Sequence, residues 1–368
     1  MSSEKWEEIM DTQTYEKKRK RKIFLSILMI LFVGIILTAS TYAWFTANQT
    51  VTVQTIDVNV AAQNGLQIST DGTSWKTVIT NEDLLATLGS STLYPGNTNM
   101  LPFRGDGSTP SASIVPVSTT ADTAVSGKLK YFIGSVDSDA TGTELLTATA
   151  MTEAKGQEGS LVAFDLFFQV TQESQVYLTR NSAVTVWSDG DNTTTTSEET
   201  DKGLQNSARV AWLREGNSPI GTALSTVQAQ SASGTTSSGK GNTTGNVIVW
   251  EPNSNTHSAS GISHAAIYTS TTVTSNSPTV LAYNGIKAAI STGVPLNSTN
   301  SSYFGSVTGL FSTQETGVGN GQTWFKLSAG ITKVRFYLWI EGQDVDCENN
   351  ASGQSLSYDM QFSLLDEV

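Results

Sequence analysis

The sequence predicts an all-β protein, an antiparallel β-sandwich preceded by a hydrophobic N-terminal helix. The helix is indicated by Ile23 to Phe45, the only long apolar run, which directly follows six consecutive cations, Lys17 to Lys22. The β-class is indicated by the remainder of the chain, where Ser, Thr, Gly and Asn dominate and short segments alternate apolar and polar residues. The single cysteine, Cys347, excludes a disulfide scaffold.

The N-terminal segments predict export from the cell. Residues 1–22 form a basic cytoplasmic head, because cations beside an apolar run hold that end in the cytoplasm. Residues 23–45 are either a signal peptide or a transmembrane anchor, since 23 residues make about 35 Å of helix and a hydrocarbon core is about 30 Å thick. Thr41 and Ala43 stand at the −3 and −1 positions of a cut before Trp44, which favours cleavage. The long polar head favours an anchor in the cell membrane.

Charge is divided unequally along the chain. Residues 1–43 carry seven Lys+Arg against five Asp+Glu, whereas the other 325 residues carry 14 against 28. An acidic body repels phosphate backbones, so we expect no nucleic-acid partner. The body, residues 46–368, is long enough for one large extracellular β-sandwich domain with Ser/Thr-rich loop insertions.

The first elements of the body are predicted in order from pattern and turn residues. Val51 to Val60 predicts a strand whose phase changes near Gln54-Thr55, where a β-bulge would restore the alternation. Asp71-Gly72 between two short apolar segments predicts a hairpin. Asn81, followed by Glu82-Asp83, predicts a short helix with Asn81 as its N-cap.

Three later segments alternate most regularly: Leu161 to Val170, Lys333 to Ile340 and Ser357 to Leu364. This pattern predicts antiparallel strands with one apolar and one solvent-exposed face, and it places Lys333 and Arg335 on the exposed face. Weaker strands are predicted at 176–178, 184–187, 209–214, 247–250 and 322–327. Because strong strands lie at both ends of the body, and sandwiches often pair distant strands, we expect one domain rather than two.

Two short regions are similar to those of a known family. Thr41 to Thr46 (Thr-Tyr-Ala-Trp-Phe-Thr) precedes Thr55-Ile56-Asp57-Val58, and Leu93 to Thr98 is a Leu-Tyr-Pro-Gly-Asn-Thr turn. They resemble the TasA/camelysin proteins, which are exported surface and biofilm-matrix proteins of Gram-positive bacteria. The resemblance implies a jelly-roll-like sandwich and, in some members, fibre assembly through an N-terminal donor strand. It also implies a dedicated signal peptidase as partner, acting at a junction made of Thr41, Ala43, Trp44 and Phe45.

A strand that begins just after this junction suits assembly by strand addition. Cleavage would free Gln49 to Val60 to complete the sheet edge of a neighbouring copy. Its apolar residues are Val51, Val53, Ile56, Val58 and Val60. We therefore expect a non-enzymatic structural protein, displayed on or released from a Gram-positive cell surface, with copies of itself as partners. The alternative is a membrane-anchored adhesin or carbohydrate-binding module, which would use the Ser/Thr-rich loops or Trp187 and Trp250 as its contact surface.

The sequence carries no catalytic constellation, and we expect neither an enzyme nor a cofactor. Of the two histidines, only His257 could serve Ser263 as a base, and the segment around that serine lacks the closing Gly of a nucleophile elbow.

Two acidic segments are candidates for weak calcium binding only. Asp137 and Asp139 begin a loop that has the first half of a calcium-binding pattern but no closing Glu. Asp344 and Asp346 follow the most regular strand, where a solvated turn is the alternative interpretation.

Overall fold

The computed structural model describes residues 56–63, 65–88, 92–101, 114–122, 124–125, 127–151, 153, 159–187, 202–235, 245–253, 256–259, 261–263, 285–295, 298, 300–307, 310–311, 322–347 and 354–364. These residues belong to one compact unit within Trp44–Val368. They are mostly strands in antiparallel sheets, which confirms the all-β class. Residues 1–22 and 23–45 lie outside the described ranges, and within those ranges no helix is long and apolar enough to cross a membrane.

The elements follow one another in this order. The strands are β1 Ile56–Gln63, β2 Gln67–Ser69, β3 Val78–Ile79, β4 Ala124–Val125, β5 Lys128–Leu129, β6 Tyr131–Ser138, β7 Glu144–Met151, β8 Val162–Val170, β9 Ser174–Leu178, β10 Ala183–Trp187, β11 Ala208–Ser218, β12 Val247–Trp250, β13 Gly285–Ile286, β14 Ile290–Pro295, β15 Phe304–Gly305, β16 Leu310–Phe311, β17 Gln322–Leu327, β18 Gly330–Ile340 and β19 Ser355–Ser363. The helices are α1 Asn81–Leu88, α2 Leu224–Gln228 and a 3-10 helix at Leu204–Asn206.

Two six-stranded sheets carry the architecture. Sheet A has the order β17-β9-β19-β1-β3, with β10 also paired to β19, and sheet B has the order β16-β12-β11-β18-β8-β2. In sheet B the long strands β11, β18 and β8 pair antiparallel, so that Phe336 lies between Trp212 and Phe164. Two pairings are parallel, β1 with β19 and β12 with β16.

The main core lies between the two sheets, which makes the arrangement β-sandwich-like. It combines apolar side chains of β1 and β19 in sheet A with those of β8, β11 and β18 in sheet B. Phe164 stacks on Phe336 with ring centroids 5.1 Å apart, while Trp212 meets Trp324 and Phe362 edge-on. Burying one aromatic side chain contributes on the order of 2–3 kcal/mol, so this cluster dominates the packing energy.

The first hairpin and helix are confirmed, but the helix is capped differently from the prediction. Asp71 Oδ1 accepts the backbone N–H groups of Thr73 and Ser74, which closes the turn. Leu84 N donates to Thr80 O and Thr80 N donates to Asp83 Oδ2, so Thr80 is the N-cap residue. The prediction of Asn81 as the N-cap is wrong.

Sheet B is covered on its second face, contrary to the prediction of a solvent-exposed face. All eleven residues of β18 are buried, with Lys333 only 7% and Arg335 only 1% exposed. Tyr337 and Trp339 on this face pack against Tyr131, which the chain brings over the sheet. Alternation could not reveal this cover, because a polar strand residue is solvated only where no other segment supplies its partners.

The two buried cations of β18 are neutralised by buried acids. Arg335 Nη1 donates to Asp165 Oδ1 at 2.6 Å, and Arg335 also pairs with Glu153. Lys333 Nζ lies 2.7 Å from Glu215 Oε2 and 3.4 Å from Asp165 Oδ2. Burial acts to raise the pKa of Asp165, but Arg335 and Lys333 outweigh it and lower that pKa. Burial and the Asp165 charge raise the pKa of Glu215 to about 7.

The turn at Leu93 to Thr98 closes over this ion network. The Tyr94 hydroxyl donates to Asp165 Oδ2 at 2.5 Å, and the Thr98 carbonyl accepts from Arg335 Nη2 at 2.9 Å. Gly96 within the turn has φ +76, a conformation that suits glycine. The turn at Leu93 to Thr98 therefore supplies two polar partners to a buried charge cluster.

Candidate functional site

The described part of the predicted donor segment, Ile56 to Val60, lies in β1, and here β1 pairs within its own chain. β1 runs parallel to β19 with eight register pairs along Ile56–Gln63. With β3 it forms only two pairs, Val60 with Ile79 and Ala61 with Val78. The strand nearest the predicted processing junction is therefore held mainly by β19, near the end of the chain.

β1 covers one whole edge of β19. The other edge is shared by β10, which pairs with residues 355–359, and by β9, which pairs with Phe362 and Ser363. No hairpin connects β1 to β19, since nearly the whole body of the chain separates them. The two strands are therefore held together by pairing and packing and not by a local connection.

The inward side chains of β1 complete the main core. Val58, Val60 and Ala62 are at most 4% exposed, while Asn59 and Ala61 between them are half-buried. Val58 N also donates to the side-chain Oδ1 of Asn81 at 3.0 Å, which ties the strand to α1. Burying one valine side chain contributes about 1.5–3 kcal/mol. Withdrawing β1 would open a groove in the core along the edge of β19.

Several predicted residues of this site lie outside the described ranges. They are the processing junction, Thr41, Ala43, Trp44 and Phe45, and the first two donor-strand residues, Val51 and Val53. The predicted bulge at Gln54-Thr55 also falls there. Of the remaining donor-strand residues, Ile56 is the first residue of β1, and Val58 and Val60 face the core.

The expectation of a contact surface at Trp250 is wrong. Trp250 is fully buried and stacks on Trp212 with ring centroids 6.0 Å apart, because its strand β12 lies inside sheet B between β11 and β16. Trp187 ends β10, where it is paired with Ser355. Among the side chains whose burial is described, no Trp, Tyr or Phe is exposed.

The first pair of calcium candidates lies at the hairpin between β6 and β7, with Asp137 near the end of β6 and Asp139 in the turn. Asp139 Oδ1 accepts the backbone N–H groups of Thr141 and Thr143 at 2.8 and 2.9 Å. The hydrogen bonds of Thr141 and Thr143 lower the pKa of Asp139. Within the described residues, no metal-ligating group includes Asp137 or Asp139.

The second pair, Asp344 and Asp346, is buried, so the interpretation as a solvated turn is wrong. The two residues are 1% and 0% exposed in a turn that directly follows β18. Asp346 Oδ2 lies 2.7 Å from His257 Nδ1, and Asp346 Oδ1 accepts Ser258 N at 2.7 Å. Ligand atoms of His257, Asp344 and Asp346 all lie within 4.8 Å of one another.

Arg209, at the start of β11, supplies the guanidinium group that pairs with the acids of this cluster. It pairs with Asp344 and with Glu251, and its Nη1 donates to the backbone of Asn206 at 2.9 Å. Burial raises the pKa of Glu251, and it also raises the pKa of Asp346 with a further contribution from the Asp344 charge. We name Arg209, Glu251, His257, Asp344 and Asp346 the acid–histidine cluster.

Sequence reasoning missed most of this cluster. Arg209 lies in β11 and Glu251 directly follows β12, and no spacing in the sequence links either of them to Asp344. From the sequence, His257 was a candidate only as a base for Ser263. In the structure, Ser263 Oγ instead donates a hydrogen bond to Ala259 O at 3.0 Å. The one available signal was the density of acids after β18.

Comparison of the chain with protein-family models, with curated proteins and with solved structures finds no match.

Proposed function

We propose that this protein is a non-enzymatic extracellular structural subunit of a Gram-positive surface or matrix, which assembles by donating β1 to another copy. The observation that carries the proposal is the seam between β1 and β19, eight parallel pairs between strands that no hairpin joins. The proposal includes export by residues 23–45 and the jelly-roll-like topology that the family resemblance implies.

In this proposal, cleavage at the processing junction switches the protein from a tethered monomer to a subunit that can assemble. While residues 23–45 remain in the membrane, β1 is tethered about ten residues from the bilayer and serves the sheet of its own chain. A cut before Trp44 releases that tether. Exchange between copies would preserve the pairing of β1 with β19 and with β3, so the free-energy difference between the two arrangements would depend mainly on the three-residue connection from β1 to β2. The protein concentration, and whether the N-terminus has been released from the membrane, then decide whether β1 pairs within its own chain or with another copy.

Deletion and complementation test this function. In a chain lacking residues 49–60, we expect no filaments, because no subunit has a strand to donate. A synthetic peptide with residues 49–63 should then restore tryptophan fluorescence of the folded sandwich without restoring filaments. An equally long deletion in a Ser/Thr-rich segment, residues 189–200, is the control that should leave assembly intact. Filaments formed without residues 49–60 would contradict the proposal.

One feature favours the alternative of a carbohydrate-binding surface module. A polar pocket of about 280 Å³ is lined by Glu173, Arg214, Gly216, Asn217, Lys326, Ser328 and Thr332. These groups suit the hydroxyl and carboxylate groups of an acidic sugar. Binding of the full chain to a glycan array, lost in the variant Arg214→Ala, would favour this function over assembly. If the full chain binds no glycan on the array, this alternative function is excluded.

A further inference from the structure

We infer that His257, Asp344 and Asp346 form a structural binding site for a borderline divalent cation such as Zn²⁺ or Mn²⁺. The site is independent of strand donation and would hold together the turn after β18 and the segment after β12. Three lines of argument support it: the geometry of the donors, the charge of the cluster, and an amide in the same turn.

The geometry brings donors from separate segments to one point. The imidazole nitrogen of His257 and carboxylate oxygens of Asp344 and Asp346 lie within 4.8 Å of one another. Ions of this class hold N and O donors at about 2.0–2.2 Å, so donors of one ion are at most about 4.4 Å apart. Closing the site therefore takes side-chain rotations in which the ion replaces the hydrogen bond between His257 and Asp346.

The acids of this cluster, Glu251, Asp344 and Asp346, face Arg209 and His257, and a divalent ion would add positive charge among them. Among the described residues, Arg209 is the only Lys or Arg paired with these acids, and it faces both Asp344 and Glu251. Asp346, fully buried, adds a third carboxylate beside His257. Burying uncompensated carboxylates is costly, and a divalent ion between the two aspartates offsets that cost.

A buried amide in the same turn is the independent observation. Gln343 is 1% exposed, and neither its Oε1 nor its Nε2 has a hydrogen-bond partner within the described part of the chain. Buried side-chain amides are normally hydrogen-bonded, and an amide oxygen is a good ligand for a divalent cation. Gly261 also lies close, since a Cβ there would come within 2.5 Å of Asp346 Oδ1. The backbone thus packs directly against the proposed ligands.

The donor types identify the class of ion. Calcium takes oxygen ligands alone, whereas one imidazole with two carboxylates suits Zn²⁺ or Mn²⁺. The neighbouring Cys347 is not part of the donor group, so a thiolate site is not proposed. Asp344 and Asp346 are almost fully buried, which leaves no face open to a substrate. The ion would therefore stabilise the fold and would not catalyse a reaction.

Metal analysis of the full chain tests the inference. The protein is purified in detergent without chelator, and its metal content is measured by mass spectrometry before and after dialysis against a chelator. We expect about one Zn²⁺ or Mn²⁺ per chain. Adding Zn²⁺ back at a hundredfold excess over its Kd should raise the Tm by about 4 °C. Calcium at the same concentration should leave the Tm unchanged.

Matched variants separate this site from adventitious binding. His257→Gln and Asp346→Asn keep the shape of the side chains and should abolish both the bound metal and the Tm increase. Asp139→Asn, in the exposed turn between β6 and β7, should change neither. If a variant fails to fold, the visible spectrum of Co²⁺ bound to the wild type reports nitrogen and oxygen ligation directly. A wild-type chain without metal and without a Zn²⁺-dependent Tm increase would overturn the inference, as would binding that survives both variants.

Discussion

The raised pKa of Glu215 predicts that the protein becomes less stable as the pH rises from 4.5 to 7. Burial and the Asp165 charge raise this pKa from 4.5 to about 7. Between those values the folded state holds a proton that the unfolded chain has released, so stability is lost as the pH increases. At 1.36 kcal/mol per pH unit, the loss is on the order of 3 kcal/mol. Above the folded pKa the dependence ends.

Replacing the carboxyl isolates this contribution. Glu215→Gln keeps the shape but removes the titration. The free energy of unfolding is measured with urea at pH 5 and pH 7.5. Between these two pH values it should fall about 2.4 kcal/mol less for the variant than for the wild type. Glu341, whose burial also raises its pKa to about 7, titrates in both proteins and cancels in the difference. Glu82→Gln, at the start of α1, is the control. Equal pH dependence in wild type and Glu215→Gln would refute the reasoning.

Three further predictions concern the packing of sheet B, and each is measured as a change in the free energy of unfolding. Arg335→Met should cost about 3–5 kcal/mol, because it leaves buried acids without their partner, whereas Lys326→Met, in an exposed pair with Glu173, should cost under about 1 kcal/mol. Tyr94→Phe removes a donor to a buried carboxylate and should cost about 1.5–3 kcal/mol. Gly330→Ala should cost about 1–3 kcal/mol, since Gly330 has φ +128 and a Cβ there would lie 2.3 Å from Ser218 O.

The outcomes that would contradict these predictions are specific. If Arg335→Met and Lys326→Met lower the free energy of unfolding equally, the buried ion network contributes no more to stability than a surface ion pair. A Tyr94→Phe variant as stable as the wild type would show that Asp165 does not depend on the hydroxyl. If Gly330→Ala leaves the free energy of unfolding unchanged, the backbone at residue 330 accommodates a Cβ without strain.

The strands with the strongest alternation were predictable because strand side chains alternate between faces. In β8, the predicted apolar face from Val162 to Val170 is the face that enters the main core. The buried polar face of β18 was not predictable, because its counter-charges come from Glu153, Asp165 and Glu215 on other parts of the chain. Sequence patterns report how one segment divides into faces, and they do not report which distant segment covers each face.

The candidate site was predictable in one respect only. The apolar residues of β1 indicated a strand, and its place after the junction suggested donation. β1 pairs in parallel with β19, from which nearly the whole body separates it in sequence. No local sequence signal encodes the register between two strands so far apart. The acid–histidine cluster is likewise assembled from distant parts of the chain, namely β11, the segment after β12 and the turn after β18. In the sequence it was visible only as a run of acids.

Cross-linking between two differently labelled copies tests strand donation most directly. Asn59 and Asp359 are register partners across the β1–β19 seam, and neighbouring strands place such Cα atoms within the reach of a disulfide. Asn59→Cys and Asp359→Cys are made in separate chains, each carrying Cys347→Ser, and are mixed under assembly conditions and oxidised. We predict a disulfide that joins the two different chains, and none when Thr141→Cys replaces Asp359→Cys. Filaments whose subunits stay unlinked, while a chain carrying both cysteines links only to itself, would contradict strand donation.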